Sequence, residues 1–206
     1  MVIRRARRAV IFGILAVWIA VHAFSQSENI APEALLKPNK IEINIAADLF
    51  YTLLDINTSN VFLNLGARWG NAGFANVTFE TMAKNIYPGT WFWEDGDRFL
   101  INQFGHPYQG STYFASARIN GFNFYESIPF ALIGSLQWEI MHEPESSIND
   151  VISTTIGGIS LGEMLHRLFL KADASNSAGA KIGAFLISPM EGFNAIYNRP
   201  LRGGGV

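Results

Sequence analysis

Residues 106–171 read HPYQGSTYFASARINGFNFYESIPFALIGSLQWEIMHEPESSINDVISTTIGGISLGEMLHRLFLK, and this stretch decides the fold. Pro107 suits a first helical turn, where its missing N–H costs no hydrogen bond. A helix is expected over about Tyr108 to Asn120, stopping near Gly121. Ser127 and Pro129 open a second helix that runs to about His142, because Pro144 blocks continuation. Ser147 followed by Asp150 resembles a capping box with Asp in the acidic slot, and a third helix is expected from about Ile148 to Lys171. Short connections make consecutive helices antiparallel neighbours. The fold class read from this stretch is mainly α: an antiparallel helical bundle of hairpins with an irregular N-terminal region.

Outward from there the signals weaken. Residues 41–56 suggest either a short strand at Ile41–Ile45 or a helix over about Ala46 to Ile56, ended by Asn57-Thr58-Ser59-Asn60. Residues 67–90, with Gly70, Gly73, Pro88 and Gly89, read as irregular around a helix near Phe79 to Asn85. Residues 172–181 read as a turn, and an apolar element then ends at Pro189. The expected organisation is a signal peptide at 1–25, a polar linker at 26–40, a helical domain at 41–195 and a flexible tail at 196–206.

The first segment is an address. Arg4, Arg5, Arg7 and Arg8 precede an apolar run from Ala9 to Ala23, followed by small residues. That order is the layout of a secretory signal. The run is short for a spanning helix, which needs about 20 apolar residues. Export is the expectation. Of the 15 basic residues removal takes four, so 11 face 17 acidic ones and the net charge falls from -2 to -6. Net charge therefore draws the chain to neither nucleic acid nor anionic lipid headgroups. Without cysteine there are no disulfides, thiolate metal sites or cysteine nucleophiles. Charged residues are only 16% of the chain, so any cluster of them stands out. The apolar runs at 127–138 and 151–162 fall short of a membrane span and suit buried helices, with partial embedding in a membrane as the alternative.

Helix arithmetic assigns the charged residues to two poles. Centred on Phe124, the first two helices place His106 and His142 at one end, together with the turn from Glu143 to Ser147. His106, Asn102, Glu139, His142, Glu143 and Asp150 are expected to gather there, and Arg118, Glu126, Glu163 and Arg167 at the other end. Neighbouring carboxylates and imidazoles suit acid/base chemistry or cation binding. The catalytic candidates are His106, Glu139 and Asp150. A hydrogen-bonded network that fixes the helices is the alternative, and no metal is specified. Glu139-Ile-Met-His142 and Glu163-Met-Leu-His166 are both E-x-x-H, the spacing of di-iron bundles. On consecutive helices joined by one short turn, the two glutamates differ in height by roughly 18 Å and cannot share one centre. Glu163 and Arg167 also have the spacing of a surface pair. Gly157, Gly158 and Gly162 form a small-residue face for tight core packing or, alternatively, a homodimer seam. No nucleophile elbow, phosphate loop or dinucleotide fingerprint appears, and no cofactor is expected.

The ordered motifs from Trp93 through Asp97, Asn102, His106, Gly110, Tyr113, Arg118 and Gly121 resemble a bacterial family of uncharacterised exported proteins, domain of unknown function 3943. Trp138-Glu139, Glu143, Ser147 to Asp150, Gly157-Gly158, Gly162-Glu163, Arg167 and Ser188 to Asn194 continue the likeness. The resemblance implies an exported envelope protein of a Gram-negative-type bacterium, in the periplasm or at the outer membrane, with no established activity. Longer members continue into a region resembling an outer-membrane β-barrel, so this chain is read as a short or truncated member. The resemblance also carries Asn102, His106, Arg118, Glu139, Glu143, Asn149, Asp150, Glu163 and Arg167 as pattern positions, and leaves out His142 and His166. A non-enzymatic helical module touching a membrane or outer-membrane component is the leading functional expectation. An envelope enzyme acting on lipid or cell-wall material is the rival.

Overall fold

The computed structural model describes residues 45–201 apart from Asn71, Asp95 and Asp97. The chain is mainly helical. Helix α1 spans Ile45–Trp69, α2 Phe79–Asn85, α3 His106–Ile119 and α4 Phe124–Met141. A continuous rod follows: α5 Ile148–Ile152, a π turn Ser153–Gly157, and α6 Gly158–Asp173. Helices α7 (Ala178–Ile187) and α8 (Pro189–Leu201) complete the described chain. A second π turn, Ile101–Gly105, leads into α3. Two compact units are distinguished: Ile43–Met164, and a second that includes Leu165 onwards.

Local chemistry sets most boundaries. Asn123 and Glu126 form a reciprocal capping box, Glu126 Oε2 accepting from Asn123 N at 2.8 Å, so α4 starts at Phe124 and not at Ser127. Gly121, at φ 108°, turns the chain between α3 and α4. The Asn57–Asn60 break is a correction: α1 runs straight through it. Ser59 and Asn60 hydrogen-bond to other helices, and Asn57 Nδ2 donates to Leu53 O at 2.7 Å, so these side chains do not compete with the α1 backbone. The helix at Phe79–Asn85 forms as expected on a Thr78/Thr81 capping box. The possible strand at 41–45 lies almost wholly outside the described residues, as do the signal and linker. Helix α8 continues to Leu201, into the stretch read as a tail, because Pro189 starts a new helix at its first turn.

Within Ile43–Met164 the helices alternate in direction. Asn120 Nδ2 donates to Asp55 Oδ2 at 2.8 Å, and Asn64 Nδ2 donates to His142 O at 3.2 Å. These bonds set α1 parallel to α4 and antiparallel to α3. The α5–α6 rod returns antiparallel to α4, bringing Glu163 to Arg118 at 2.9 Å. Helix α3 is central, packing on α1, α4 and the Ser153–Gly157 turn of the rod. Its contact with the rod is backbone on backbone: a Cβ on Gly110 would sit 1.8 Å from the Thr154 carbonyl oxygen, and one on Gly158 2.5 Å from the Gly110 carbonyl carbon. The small-residue face of the rod, offered above as core packing or dimer seam, is filled by Pro107, Gly110, Ser111 and Phe114 of α3.

The interior is unusual in composition. An apolar cluster of Ile56, Tyr113, Ala117 and Phe130 exists, with Phe122 against it. Around it the buried side chains are largely polar. Helix α1 buries Asp48, Thr52, Asp55, Ser59, Asn60 and Asn64, with Ile56 the apolar exception. Its outward face carries Phe50, Leu54, Phe62 and Leu65. No described helix is long and apolar enough to cross a membrane.

In the second unit, Ser177 caps α7. His166 Nδ1 and Glu191 Oε1 form a buried pair at 2.5 Å, and Ser188 Oγ donates to the other Glu191 oxygen at 2.5 Å.

Candidate functional site: a buried His–carboxylate chamber

The turn from Met141 to Ile148 joins α4 to the rod and is strapped by the Trp91–Trp93 segment. Phe92 N donates to Ser146 O and Ile148 N to Phe92 O, both at 3.0 Å. Asn85 Nδ2, at the end of α2, donates to the carbonyls of Glu139 and Glu143 at 3.1 and 2.8 Å. Trp91 Nε1 donates to Asn85 O at 2.8 Å. The backbone that carries the acidic side chains is therefore held from two sides.

Glu139, Glu143 and Asp150 converge here, each buried, and each offers an oxygen that lies within 4.8 Å of the others'. Every carboxylate also accepts a hydrogen bond that fixes its orientation. Ser147 N donates to Glu139 Oε2 at 2.8 Å, Trp138 Nε1 to Glu143 Oε1 at 2.7 Å, and Ser147 Oγ to Asp150 Oδ2 at 2.7 Å. His106 Nε2 faces Asp150 Oδ1 at 3.3 Å. The anticipated Ser147/Asp150 box is half closed: Asp150 N donates to Ser147 Oγ, while Ser147 N is taken by Glu139.

Helix α3 supplies the remaining wall. Gln109 Nε2 donates to the Tyr113 hydroxyl at 2.7 Å, and that hydroxyl donates to Asn60 Oδ1 on α1. Burial, with the carboxyl groups of Glu139 and Glu143 nearby, pushes the Tyr113 hydroxyl well above the usual tyrosine pKa. Gly134 admits the Tyr113 ring, since a Cβ there would lie 2.4 Å from ring carbon Cγ.

Three carboxylates this close in a dry interior require compensating positive charge: a shared proton, an imidazolium or a metal cation. Oxygens within 4.8 Å of one another can surround one cation at the usual 2.0–2.6 Å ligand distances, and His106 stands behind Asp150 as a further donor or as an orienting partner. The same geometry suits a structural network, because each carboxylate is already tied to a backbone or side-chain donor.

The remaining candidates divide. Asn149 lies at the rim: its amide N–H bonds to Trp93 O at 2.9 Å and its side chain approaches Asp150 Oδ1 at 3.5 Å. Asn102 is buried, and its carbonyl accepts from Ser153 Oγ at 2.6 Å, which joins the two π turns. His142 lies outside the chamber, stacked on Trp138 with ring centroids 5.4 Å apart. Partial burial and then the nearby Arg68 guanidinium lower its pKa from the usual histidine value. Arg118 and Glu163 form the ion pair of the opposite pole, where Arg118 also donates to Phe122 O at 2.7 Å. Arg167 is exposed and belongs to the second unit. The residues of the two E-x-x-H motifs go to different partners: Glu139 to Ser147, His142 to the Trp138 ring, Glu163 to Arg118 and His166 to Glu191.

Sequence reasoning missed Asn60, Asn85, Gln109, Tyr113 and Ser146 as parts of this assembly. One signal was available. Asp48, Thr52, Asp55 and Ser59 recur at intervals of four, three and four, which marks one face of a helix as polar. A shallow depression on the outer face of α1, lined by Asn57, Thr58, Val61, Phe62 and Leu65, has no titratable group in its walls.

Residues 90–190 match the family model described as Domain of unknown function (DUF3943). The chain belongs to this family. The DUF3943 region contains the chamber's acids, His106, Gln109, Tyr113 and the strap at Trp91–Trp93, while Asn60 and Asn85 come from the segment before it. No curated protein and no solved structure matches the chain.

Proposed function

We propose that this DUF3943 protein is an exported, non-enzymatic helical module of the cell envelope, held in the periplasm or at the outer membrane of a Gram-negative-type bacterium and associated with a membrane. The observation that carries this reading is the inverted helix α1, whose polar residues turn inward and whose apolar residues turn outward. A soluble helix does the reverse. The arginine-rich, apolar, small-residue order of residues 1–25 supports export. On this reading the chamber is a lock: its acids hold the α4–α5 turn, and through it the register of the bundle.

Flotation of the purified chain with phosphatidylcholine vesicles tests membrane association. Recovery in the floating fraction is expected, and complete recovery at the bottom of the gradient overturns it. Mass spectrometry of the cellular protein tests export. Cleavage near residues 23–25 is expected, and an intact Met1 in the cytoplasm counts against it.

A second reading rests on a specific observation, the mutual approach of the Glu139, Glu143 and Asp150 oxygens. It makes the chamber a cation or acid/base site of an envelope enzyme acting on lipid or cell-wall material. Metal analysis of protein purified without chelator, with Glu139→Gln as the comparison, separates the readings. Stoichiometric metal lost in the variant supports the second reading. Absence of metal together with lowered stability in Glu139→Gln supports the lock.

A further inference from the structure

We infer that the outer surface of the Ile43–Met164 unit is built to lie against lipid acyl chains, as a charge-free girdle between two charged poles. This inference deepens the membrane association proposed above and rests on it. Helices α1 and α4, the α5–α6 rod and the Phe99–Tyr108 stretch that leads into α3 form the unit's exterior, α3 itself being buried from Gln109 to Ala117, and each of these lacks outward charge along its middle. Helix α1 has no charged outward residue from Ile45 to Ala67, with Arg68 the first. No Lys, Arg, Asp or Glu occurs between Arg98 and Arg118 on the α3 rod, or between Glu126 and Glu139 on α4. On the α5–α6 rod none occurs between Asp150, which is buried, and Glu163. The exposed residues in these intervals include Phe62, Leu65, Phe104, Ile133 and Ile156, with Phe62 75% exposed.

The charges gather at the two ends. Arg118, Glu126 and Glu163 mark one. Arg98 and Glu145 mark the other, where α1 also brings Arg68. The 20 residues from Arg98 to Arg118 separate the ends by about 30 Å at 1.5 Å per residue, close to the thickness of a bilayer's hydrocarbon core.

The interior agrees with the exterior. Water-soluble bundles gather apolar side chains inside, because their burial drives folding. Here the inside holds the hydrogen-bonded polar residues and the glycine contact of Gly110 with Gly158. Helices in lipid associate in that manner, through close packing and polar bonds, since lipid is as apolar as leucine. Helix α1 commits its inner face to polar groups, and the inner face of α4 mixes Ser127, Ser135 and Glu139 with Phe130, Ala131 and Trp138. The unit meets lipid as a body. A protein partner covering all of these faces would leave no outer surface for solvent, which is why acyl chains are the occupant the charge pattern favours.

The absence of cysteine makes the test direct, because every introduced thiol is unique. Phe62→Cys, Ile133→Cys and Ile156→Cys report on the girdle, and Arg98→Cys and Glu145→Cys on a charged pole. Each full-length variant is labelled with an environment-sensitive fluorophore and mixed with phosphatidylcholine vesicles. Girdle labels are expected to be quenched by brominated acyl chains and shielded from aqueous iodide, and pole labels to remain open to iodide. Ile133→Lys should lower vesicle partitioning by about a hundredfold, the cost of one lysine in hydrocarbon. In water the same change at an exposed position leaves folding intact, so unfolding does not mimic the result. Vesicle binding with girdle labels open to iodide overturns the inference and leaves membrane association standing. No binding at all overturns both. Shielding that disappears when the protein is diluted in lipid overturns it in favour of a second copy of the chain.

Discussion

The two poles of the Ile43–Met164 unit use the same residue types for different ends. At the chamber, Glu139, Glu143 and Asp150 are sealed, and each is held by a donor within 2.8 Å. At the opposite pole Arg118 and Glu163 pair at 2.9 Å with 20% and 13% of their side chains still exposed. Net charge near zero and partial access to water make the second pole tolerant, because a group that loses its partner can rehydrate. Excess negative charge in a dry space makes the first one unforgiving. Burial, more than residue identity, decides what a carboxylate does in this protein.

The largest effect is expected at the chamber. Glu139→Ala leaves the Ser147 N–H without its buried acceptor and opens a cavity in the chamber, and should cost about 3–5 kcal/mol in chemical denaturation of the full chain. A cost below that of Glu163→Gln would break the comparison. Gly158→Ala tests the packing that brings the poles into register. Its methyl would meet the Gly110 backbone, which cannot swing aside, and a loss of about 1–3 kcal/mol or more is expected. Glu163→Gln, measured in the same way, should cost about 1.5 kcal/mol, since one charged hydrogen bond is weakened and the guanidinium regains water. Tyr113→Phe removes the link between Gln109 and Asn60 and should cost about 1 kcal/mol. The smallest effect is a pH dependence. His142 has a lowered pKa when folded, so the unfolded chain binds the proton more readily. Stability present above the usual histidine value of about 6.5 is lost as pH falls through it toward the folded value. A denaturation series across that range should show a shallower acid loss in His142→Gln.

The comparison also shows what was legible beforehand. The convergence of His106, Glu139, Glu143 and Asp150 followed from helix lengths and one short turn, because rise per residue is nearly constant and a hairpin returns its ends to the same level. Arg118 and Glu163 were placed at the same pole for the same reason. Asn60 and Asn85 were invisible as chamber residues, since they bond to Tyr113 and Glu139 across 53 and 54 residues of sequence. The run Asn57–Asn60 was misread because asparagine and serine favour turns when their side chains bond locally. Ser59 and Asn60 instead find partners on α3 and α4, Ser59 Oγ lying 3.0 Å from Thr112 Oγ1. The π turns before His106 and after Asp150 carry no clear sequence mark, as they arise where two rods press together.

By itself the sequence determined the helical class, the three central helices with their antiparallel order, and the end of the bundle at which the acids meet. These follow from local rules: proline and glycine positions, caps, and constant helical rise. Only the tertiary structure decided which face of each helix is inside. The usual assumption turns apolar residues inward, and here α1 does the opposite, because its polar stripe finds hydrogen-bond partners on α3 and α4 while its leucines and phenylalanines do not pack on them. The same stripe would face outward in a protein with an apolar core. The choice lies in the partners offered by neighbouring helices, which no single segment of the chain encodes.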